Sequence, residues 1–203
     1  MSDVTQNEDP VRERILAAAV KTIDEAGTAA LRVVAVADEA GVSQGMIRYY
    51  FGDRQGLVDA ALARRFGDRF GDPLAAFAEA AKACNTQAEL RLLLTRVLDS
   101  LFVPERTGLR LERNADVGEA VSRPELAAKI AAERDDNLRF FSEILVDAQS
   151  RGLMRADLDP TLAAAFHMSM VHGYSLFELG GESLDMRAFN RVYQEALFGL
   201  IFD

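Results

Sequence analysis

The sequence predicts an all-α fold, and three observations carry that reading. No segment of the 203 residues alternates apolar and polar side chains with the period of two that a half-buried strand requires. Helix-start signals recur. Asp9-Pro10, Asp72-Pro73 and Asp159-Pro160 each set a capping aspartate before a proline, and Thr86 to Glu89 and Ser122 to Glu125 have the form of capping boxes. Finally, residues 32–51 hold two short helical patterns joined at Ala40-Gly41-Val42-Ser43, the sequence form of a helix-turn-helix.

The elements follow in order. A first helix, 10–26, opens at Asp9-Pro10 and closes at Gly27. A second, 33–40, has one apolar face built from Val33, Val36, Ala37 and Ala40. Gly41 ends it in the left-handed conformation that glycine tolerates best, and Val42 plugs the corner. Ser43 is placed to cap the third, 44–50, through its hydroxyl. Further helices are expected over 54–70, 73–84, 87–102, 107–120, 123–151, 160–179 and 186–201, with Gly152 and Gly180-Gly181 as end signals. Residues 1–9 are polar and acidic, lack a signal-peptide core and read as a disordered tail.

The third helix carries the functional signal. At about 100° per residue, Ile47 and Phe51 share one side and face the core, while Gly45, Arg48 and Tyr49 point away. Gln44 and Met46 flank the N-terminal end, the end that reaches base edges in a helix-turn-helix. Arginine pairs with guanine and glutamine with adenine, and tyrosine hydroxyls bond phosphate oxygens. Gly45 costs helix stability but permits close backbone approach to a partner. The same pattern also fits a plain two-helix corner with half-buried tyrosines.

The wider segment resembles the N-terminal domain of TetR-family transcriptional regulators. The likeness runs from Arg14-Ile15-Leu16-Ala17-Ala18-Ala19 through Gly27 and Ala37-Asp38-Glu39-Ala40-Gly41-Val42-Ser43 to Tyr49-Tyr50-Phe51-Gly52-Asp53-Arg54-Gln55-Gly56-Leu57-Val58. It implies a three-helix head over 10–53, a helical ligand-binding and dimerisation body over 54–203, and a two-fold homodimer. It also implies that Gln44, Gly45, Met46, Arg48 and Tyr49 touch DNA and that Tyr50 and Arg54 hold phosphates; Arg32 and Ser43 complete the expected contact set. Three residues depart from the family pattern. Arg32 stands where a Ser or Thr usually caps the second helix, Arg48 replaces a common Tyr, and Gly56 falls where Glu is frequent and is expected to loosen the start of the next helix.

Composition sets bounds. A chain of this length buries a real core. No apolar run reaches the roughly 18 residues that span a membrane. The net charge of -9 opposes phosphate binding, yet residues 42–70 carry Arg48, Arg54, Arg64, Arg65 and Arg69 against Asp53, Asp59 and Asp68, a balance of 5 - 3 = +2. Cys84 is the single cysteine, so no internal disulfide forms and a reducing cytoplasm is the simple inference; the family resemblance implies one of bacterial type. Cys84 reads as a small packing residue, with a redox sensor as the alternative. His167 and His172 alone make no zinc site, and neither metal nor cofactor is expected.

The last two helices carry more apolar surface than one core face needs, which predicts two packing partners for each. Phe166, Met170, Tyr174 and Phe177, with Phe189, Tyr193, Leu197 and Leu200, are assigned to a four-helix interface with a second copy of the chain. An effector pocket is expected within 87–151 on the family resemblance. Phe102, Leu109, Phe140, Phe141, Ile144 and Met168 are candidate apolar wall, and Arg113, Asn114 and His172 candidate polar groups. Core packing is the competing role for each apolar residue. Arg106, Arg110 and Arg113 recur at three- to four-residue spacing and read as a solvated helix face.

Three function classes compete. The leading one is a repressor released from a pseudo-palindromic DNA operator by a small-molecule effector. An enzyme would need a nucleophile-base pair, a phosphate-binding glycine loop or a metal cluster; none is legible, and Asp135-Asp136 reads as surface charge. A protein-binding adaptor that kept the fold but lost DNA contact is the third.

Overall fold

The computed structural model describes residues 9–179 and 184–202, apart from the side chains of 70–73. Among these residues the regular structure is helical and contains no strand: α1 (Pro10–Ala26), α2 (Val33–Ala40), α3 (Gln44–Phe51), α4 (Arg54–Ala83), α5 (Gln87–Leu101), α6 (Thr107–Ala120), α7 (Pro124–Ser150), α8 (Pro160–Tyr174) and α9 (Met186–Ile201). Short 3-10 turns over Thr28–Ala30, Pro104–Arg106 and Ser175–Glu178 were not anticipated. The predicted tail lies outside the described residues up to position 8, as does the end signal Gly180-Gly181.

The caps explain most boundaries. Asp9 accepts from the Val11 amide at 2.9 Å, and Asp159 from Thr161 and Leu162 at 2.8 and 3.2 Å. Thr86 and Glu89 close a full capping box on α5. Asp185, a cap missed in the sequence, accepts from Arg187 and Ala188 at 3.0 Å each and starts α9. The break expected at Asp72-Pro73 does not occur, since α4 runs unbroken through it. A cap signal is local, and an internal proline costs about 3 kcal/mol. Burial of Phe66 on one side and Phe77 on the other, each in its own core, outweighs it.

The chain divides into two compact units. The first runs on from the head to Gly67 and takes in Ala120–Glu133, so the unit holding the helix-turn-helix extends past residue 53. Its core stacks Ile15, Leu16, Ala19 and Ile23 of α1 on Leu31, Val36, Ile47, Leu57, Leu62 and Phe66, all at most 3% exposed. Ion pairs lace its surface: Lys21 to Glu39 at 2.6 Å, Arg64 to Glu13 at 2.7 Å and Arg65 to Asp24 at 3.3 Å. Asp59 is buried, takes a bond from Gln55 at 2.9 Å and pairs with Arg123.

The second unit comprises Asp68–Glu119 and the chain from Arg134 onward. Leu90, Leu94 and Leu98 of α5, Phe141 and Leu145 of α7, Ala163, Ala164 and Val171 of α8, and Tyr193, Leu197 and Ile201 of α9 form its core. Arginines close the helix ends. Arg151 donates to the carbonyls of Ala81, Lys82 and Cys84 at 2.9, 3.1 and 2.8 Å, satisfying the acceptors that the end of α4 leaves open. Arg110 does the same at the end of α5, donating to the Leu101 and Val103 carbonyls at 2.5 and 3.2 Å. Its guanidinium also pairs with the Glu178 carboxylate, itself bonded by the Thr107 hydroxyl at 2.6 Å. Arg110 and Arg113 are therefore buried, at 4% and 6% exposure, and the solvated arginine face expected on α6 is wrong. Spacing alone cannot tell an arginine that binds carbonyls inside from one that meets water.

Cys84 is buried, and its thiol lies 3.5 Å from the Ala80 carbonyl. Burial pushes the thiol up, against reactive thiolate, which suits the packing role.

Candidate DNA interface and ligand cavity

The helix-turn-helix corner is fixed by backbone chemistry. Gly41 takes φ 66° and ψ 39°, the left-handed conformation. Its amide donates to the Asp38 carbonyl at 3.2 Å and the Val42 amide to Ala37 at 2.9 Å, the paired bonds of a Schellman end. Arg14 adds a bond to the Ala40 carbonyl at 3.3 Å. The caps on either side differ from expectation. Ser43 is extended as an N-cap should be, but its hydroxyl makes no capping bond, so the first amides of α3 carry no side-chain acceptor from Ser43. Arg32 likewise caps nothing; its guanidinium turns back to the carbonyls of Ala29 and Leu31 at 2.7 and 3.3 Å.

Helix α3 is held from beneath by Ile47, 1% exposed, with Phe51 half-buried. Gln44, Gly45, Arg48 and Tyr49 are exposed, Tyr49 at 79%, and Met46 is half-buried at the flank. Neither the Gln44 nor the Arg48 side chain has a hydrogen-bond or ionic partner among the described residues. Tyr49 meets only Tyr50, ring edge to face at 5.0 Å. The two expected phosphate holders are engaged internally. The Tyr50 hydroxyl donates to Asp9, a bond that holds the Asp9 carboxyl below and the Tyr50 phenol above their usual ranges. Arg54 donates to the Leu31 and Thr28 carbonyls at 3.0 and 2.6 Å. With Arg64, Arg65 and Arg69 also paired to acids, the +2 counted along 42–70 is not a free patch.

Gly56 has a local cause. Asp53 accepts its amide at 2.8 Å, and a β-carbon there would sit 2.0 Å from the Phe51 carbonyl oxygen. The glycine tightens the α3–α4 turn; the loosening expected from the sequence is corrected.

The second unit encloses a cavity of about 110 Å³. Leu94, Val97, Leu98 and Leu101 of α5 form one wall and Asn137, Phe141 and Leu145 of α7 another, with Ala163, His167, Met168 and Val171 of α8. Leu74, Phe77, Leu197 and Ile201 complete the apolar lining, and Arg69 and Arg113 are also in it. Of the residues assigned in advance, Arg113, Phe141 and Met168 meet here. Phe102 instead packs on Tyr174 at 4.2 Å between ring centroids, and Ile144 lies in the core. Leu109 and Phe140 are exposed, at 51% and 40%. Asn114 bonds the His172 carbonyl and Ser175 hydroxyl at 3.3 and 2.5 Å, and its amide oxygen meets His172 Nδ1 at 3.1 Å, outside the lining. The missed wall was legible as spacing: 94, 97, 98 and 101, then 137, 141 and 145, then 163, 167 and 171, are helical stripes.

His167 Nδ1 lies 2.5 Å from the Tyr193 hydroxyl, and the ring meets Phe141 edge to face at 5.2 Å. Burial, with the charge of Arg113, pushes His167 down to about 4, and His172 likewise. Both are neutral at pH 7.

A family profile for bacterial regulatory proteins of the tetR family matches residues 15–61, the stretch that contains the corner and α3. The likeness to that family lies in this stretch, less than a quarter of the chain. The regulator BetI of Stenotrophomonas maltophilia is 46% identical over 55 residues, which are 27% of this chain and 28% of that one, so the likeness to this curated relative covers less than a third of its length. Across the whole fold, a TetR-family transcriptional regulator from Rhodococcus sp. is 28% identical with a TM-score of 0.65, over 95% of this chain and 98% of that one. The FadR regulator of Bacillus subtilis, solved with stearoyl-CoA, shares the fold at 23% identity and a TM-score of 0.54, over 91% and 96%.

The residues assigned to a dimer interface divide. Tyr174, Tyr193 and Leu197 are 2% exposed and belong to the chain's own core. Phe166 and Phe177 are exposed, at 38% and 45%, and Met170, Phe189 and Leu200 are half-buried. Leu162, Leu176 and Val192, each at least 64% exposed, were not assigned and extend the apolar surface of α8, the turn after it and α9.

Proposed function

We propose that this protein is a homodimeric, DNA-binding transcriptional repressor, released from a pseudo-palindromic operator by a small molecule held in the cavity of the second unit. One observation carries the reading. Helix α3 is anchored by Ile47 and turns Gln44, Arg48 and Tyr49 outward, with no hydrogen bond or ion pair holding them to the rest of the described chain. Side chains of that chemistry on a second helix of this motif read base edges in the major groove. Ser43, Gly45 and Met46 sit at the end that would enter, and Tyr50, Arg54 and Arg32 border it. For Tyr50 and Arg54 a phosphate contact requires exchange of the bonds they now make.

The exposed apolar residues of α8 and α9 support pairing with a second copy, which would set two heads about 34 Å apart on the operator. No helix among the described residues is long and apolar enough to cross a membrane. We assign the protein to the cytoplasm, on the nucleoid when bound, and give it no catalytic role.

The test is fluorescence anisotropy on DNA taken from beside the protein's own gene, across a salt series. Sequence-selective, salt-weakened binding by the intact protein is expected. Equal affinity for scrambled DNA, or none for either, overturns the reading.

A further inference from the structure

We infer that the cavity of the second unit receives a small apolar carboxylate, with its hydrocarbon body among the α5 and α7 side chains and its acid group at Arg113. The proposal rests on reading this cavity as the effector site and adds the chemical class of the effector.

The shape of the site gives the apolar half of the argument. Leu94, Leu98, Phe141 and Leu145 present hydrocarbon from two helices. A cavity of about 110 Å³ is somewhat smaller than the roughly 150 Å³ apolar cavity that takes up one benzene ring, which limits the ligand to a small one. The polar half comes from charge. Two arginines line the cavity, and no carboxylate does among the described lining residues. Arg69 is matched by Glu112 at 2.5 Å and Asp116 at 3.8 Å, neither of which is in the lining. Arg113 is 6% exposed, and its charge is opposed by burial and by the neighbouring charges of Arg69 and Arg110, which push it down to about 10. A bound anion lessens that opposition, whereas a cationic ligand adds to it. Arginine is also the side chain whose planar fork fits a carboxylate with two parallel bonds. His167, neutral and tied to the Tyr193 hydroxyl, lines the same cavity without adding positive charge.

The test compares hexanoate, 1-hexanol and hexylamine as probes of one length and three charges, by calorimetric titration of the full chain at pH 7 in the absence of DNA. Hexanoate should bind at least about tenfold more tightly than hexanol, and hexylamine more weakly than either. Arg113→Met should bring hexanoate to the affinity of hexanol while hexanol binding persists, and Arg113→Lys should keep part of the preference. Should Arg113→Met fail to fold, the wild-type ranking decides alone. Hexanol equal to or tighter than hexanoate, no binding by any of the three, or a folded Arg113→Met variant that keeps the full preference, overturns the proposal. Because the titration contains no DNA, the two readings fail separately. Loss of the hexanoate preference with operator binding intact removes only the ligand class. Selective hexanoate binding with no effect on an operator complex leaves the ligand class standing and removes release by effector.

Discussion

Replacing Glu178 tests the internal ion pair of the second unit. Arg110 and Glu178 have side chains only 5% and 9% exposed, and Glu178 takes Nε of Arg110 at 2.7 Å together with the Thr107 hydroxyl at 2.6 Å. Glu178→Ala removes the carboxylate paired with the buried guanidinium, which keeps only neutral partners such as the Leu101 and Val103 carbonyls and lies 5.4 Å from the Tyr174 ring. Breaking one side of such a pair costs about 3–5 kcal/mol. For a chain of this size that is a fall in Tm of roughly 6–20 °C. Arg110→Met with Glu178→Leu removes both charges and should recover most of the loss, although Arg110 also closes the α5 end and its carbonyls would then lack a donor. The carboxyl also predicts a pH dependence. Burial pushes Glu178 up, but the bonds from Arg110 and Thr107 pull it further down, so its folded pKa lies below the ordinary 4.5. A depressed carboxyl stabilises the fold above its unfolded pKa and loses that contribution as pH falls through the folded value. Urea unfolding followed by far-UV circular dichroism, at pH 7 and at steps below 5, reads both effects. A single substitution costing under about 1 kcal/mol, or a double variant no better than Glu178→Ala, would refute the reasoning.

Other outcomes follow from the same geometry. Gly56→Ala places a β-carbon 2.0 Å from the Phe51 carbonyl and should cost about 1–3 kcal/mol in denaturant unfolding; unchanged stability would show that the turn yields freely. Arg48→Ala should cost about 1–3 kcal/mol of operator binding in an anisotropy titration. Its stability should stay within about 0.5 kcal/mol of wild type, and an unfolded variant contradicts the exposed placement. His167 and His172 have folded pKa values near 4 against 6.5 unfolded, so the unfolded chain binds protons first as pH drops. Stability should be full above about 6.5 and decline towards 4, and His167→Leu should flatten part of that slope in urea titrations; identical pH slopes for both proteins would contradict it.

The helices were legible because their signals are local. Asp9, Thr86 and Asp159 cap where the spacing of residues predicts, and Gly41 turns the corner as a glycine at that place should. What failed was non-local. The Asp72-Pro73 signal lost to packing on each side, and the arginine face of α6 was buried by carbonyls and by Glu178, 68 residues away. The outward placement of Gln44, Arg48 and Tyr49 on α3 was readable by helical phase because Ile47 fixes which way the helix faces. The cavity was only partly readable. Phe140 and Phe141 are equally apolar, and only the stripe through 137, 141 and 145 tells which one faces inward. Tyr193 was given to an interface because its stripe is apolar, yet it packs against Phe102 and His167 within the chain.

The way α3 is held has a consequence for how a protein of the proposed kind diverges. Its grip on the fold passes through Ile47, while Gln44, Arg48 and Tyr49 support no packing or bonding network in the head beyond the ring contact of Tyr49 with Tyr50. Changes at these three positions therefore leave the folding free energy nearly untouched and fall on whatever the helix touches. On the proposed reading of α3, operator preference can drift by single substitutions without passing through an unstable intermediate, whereas a change at Ile47 or Gly41 must first survive as a fold.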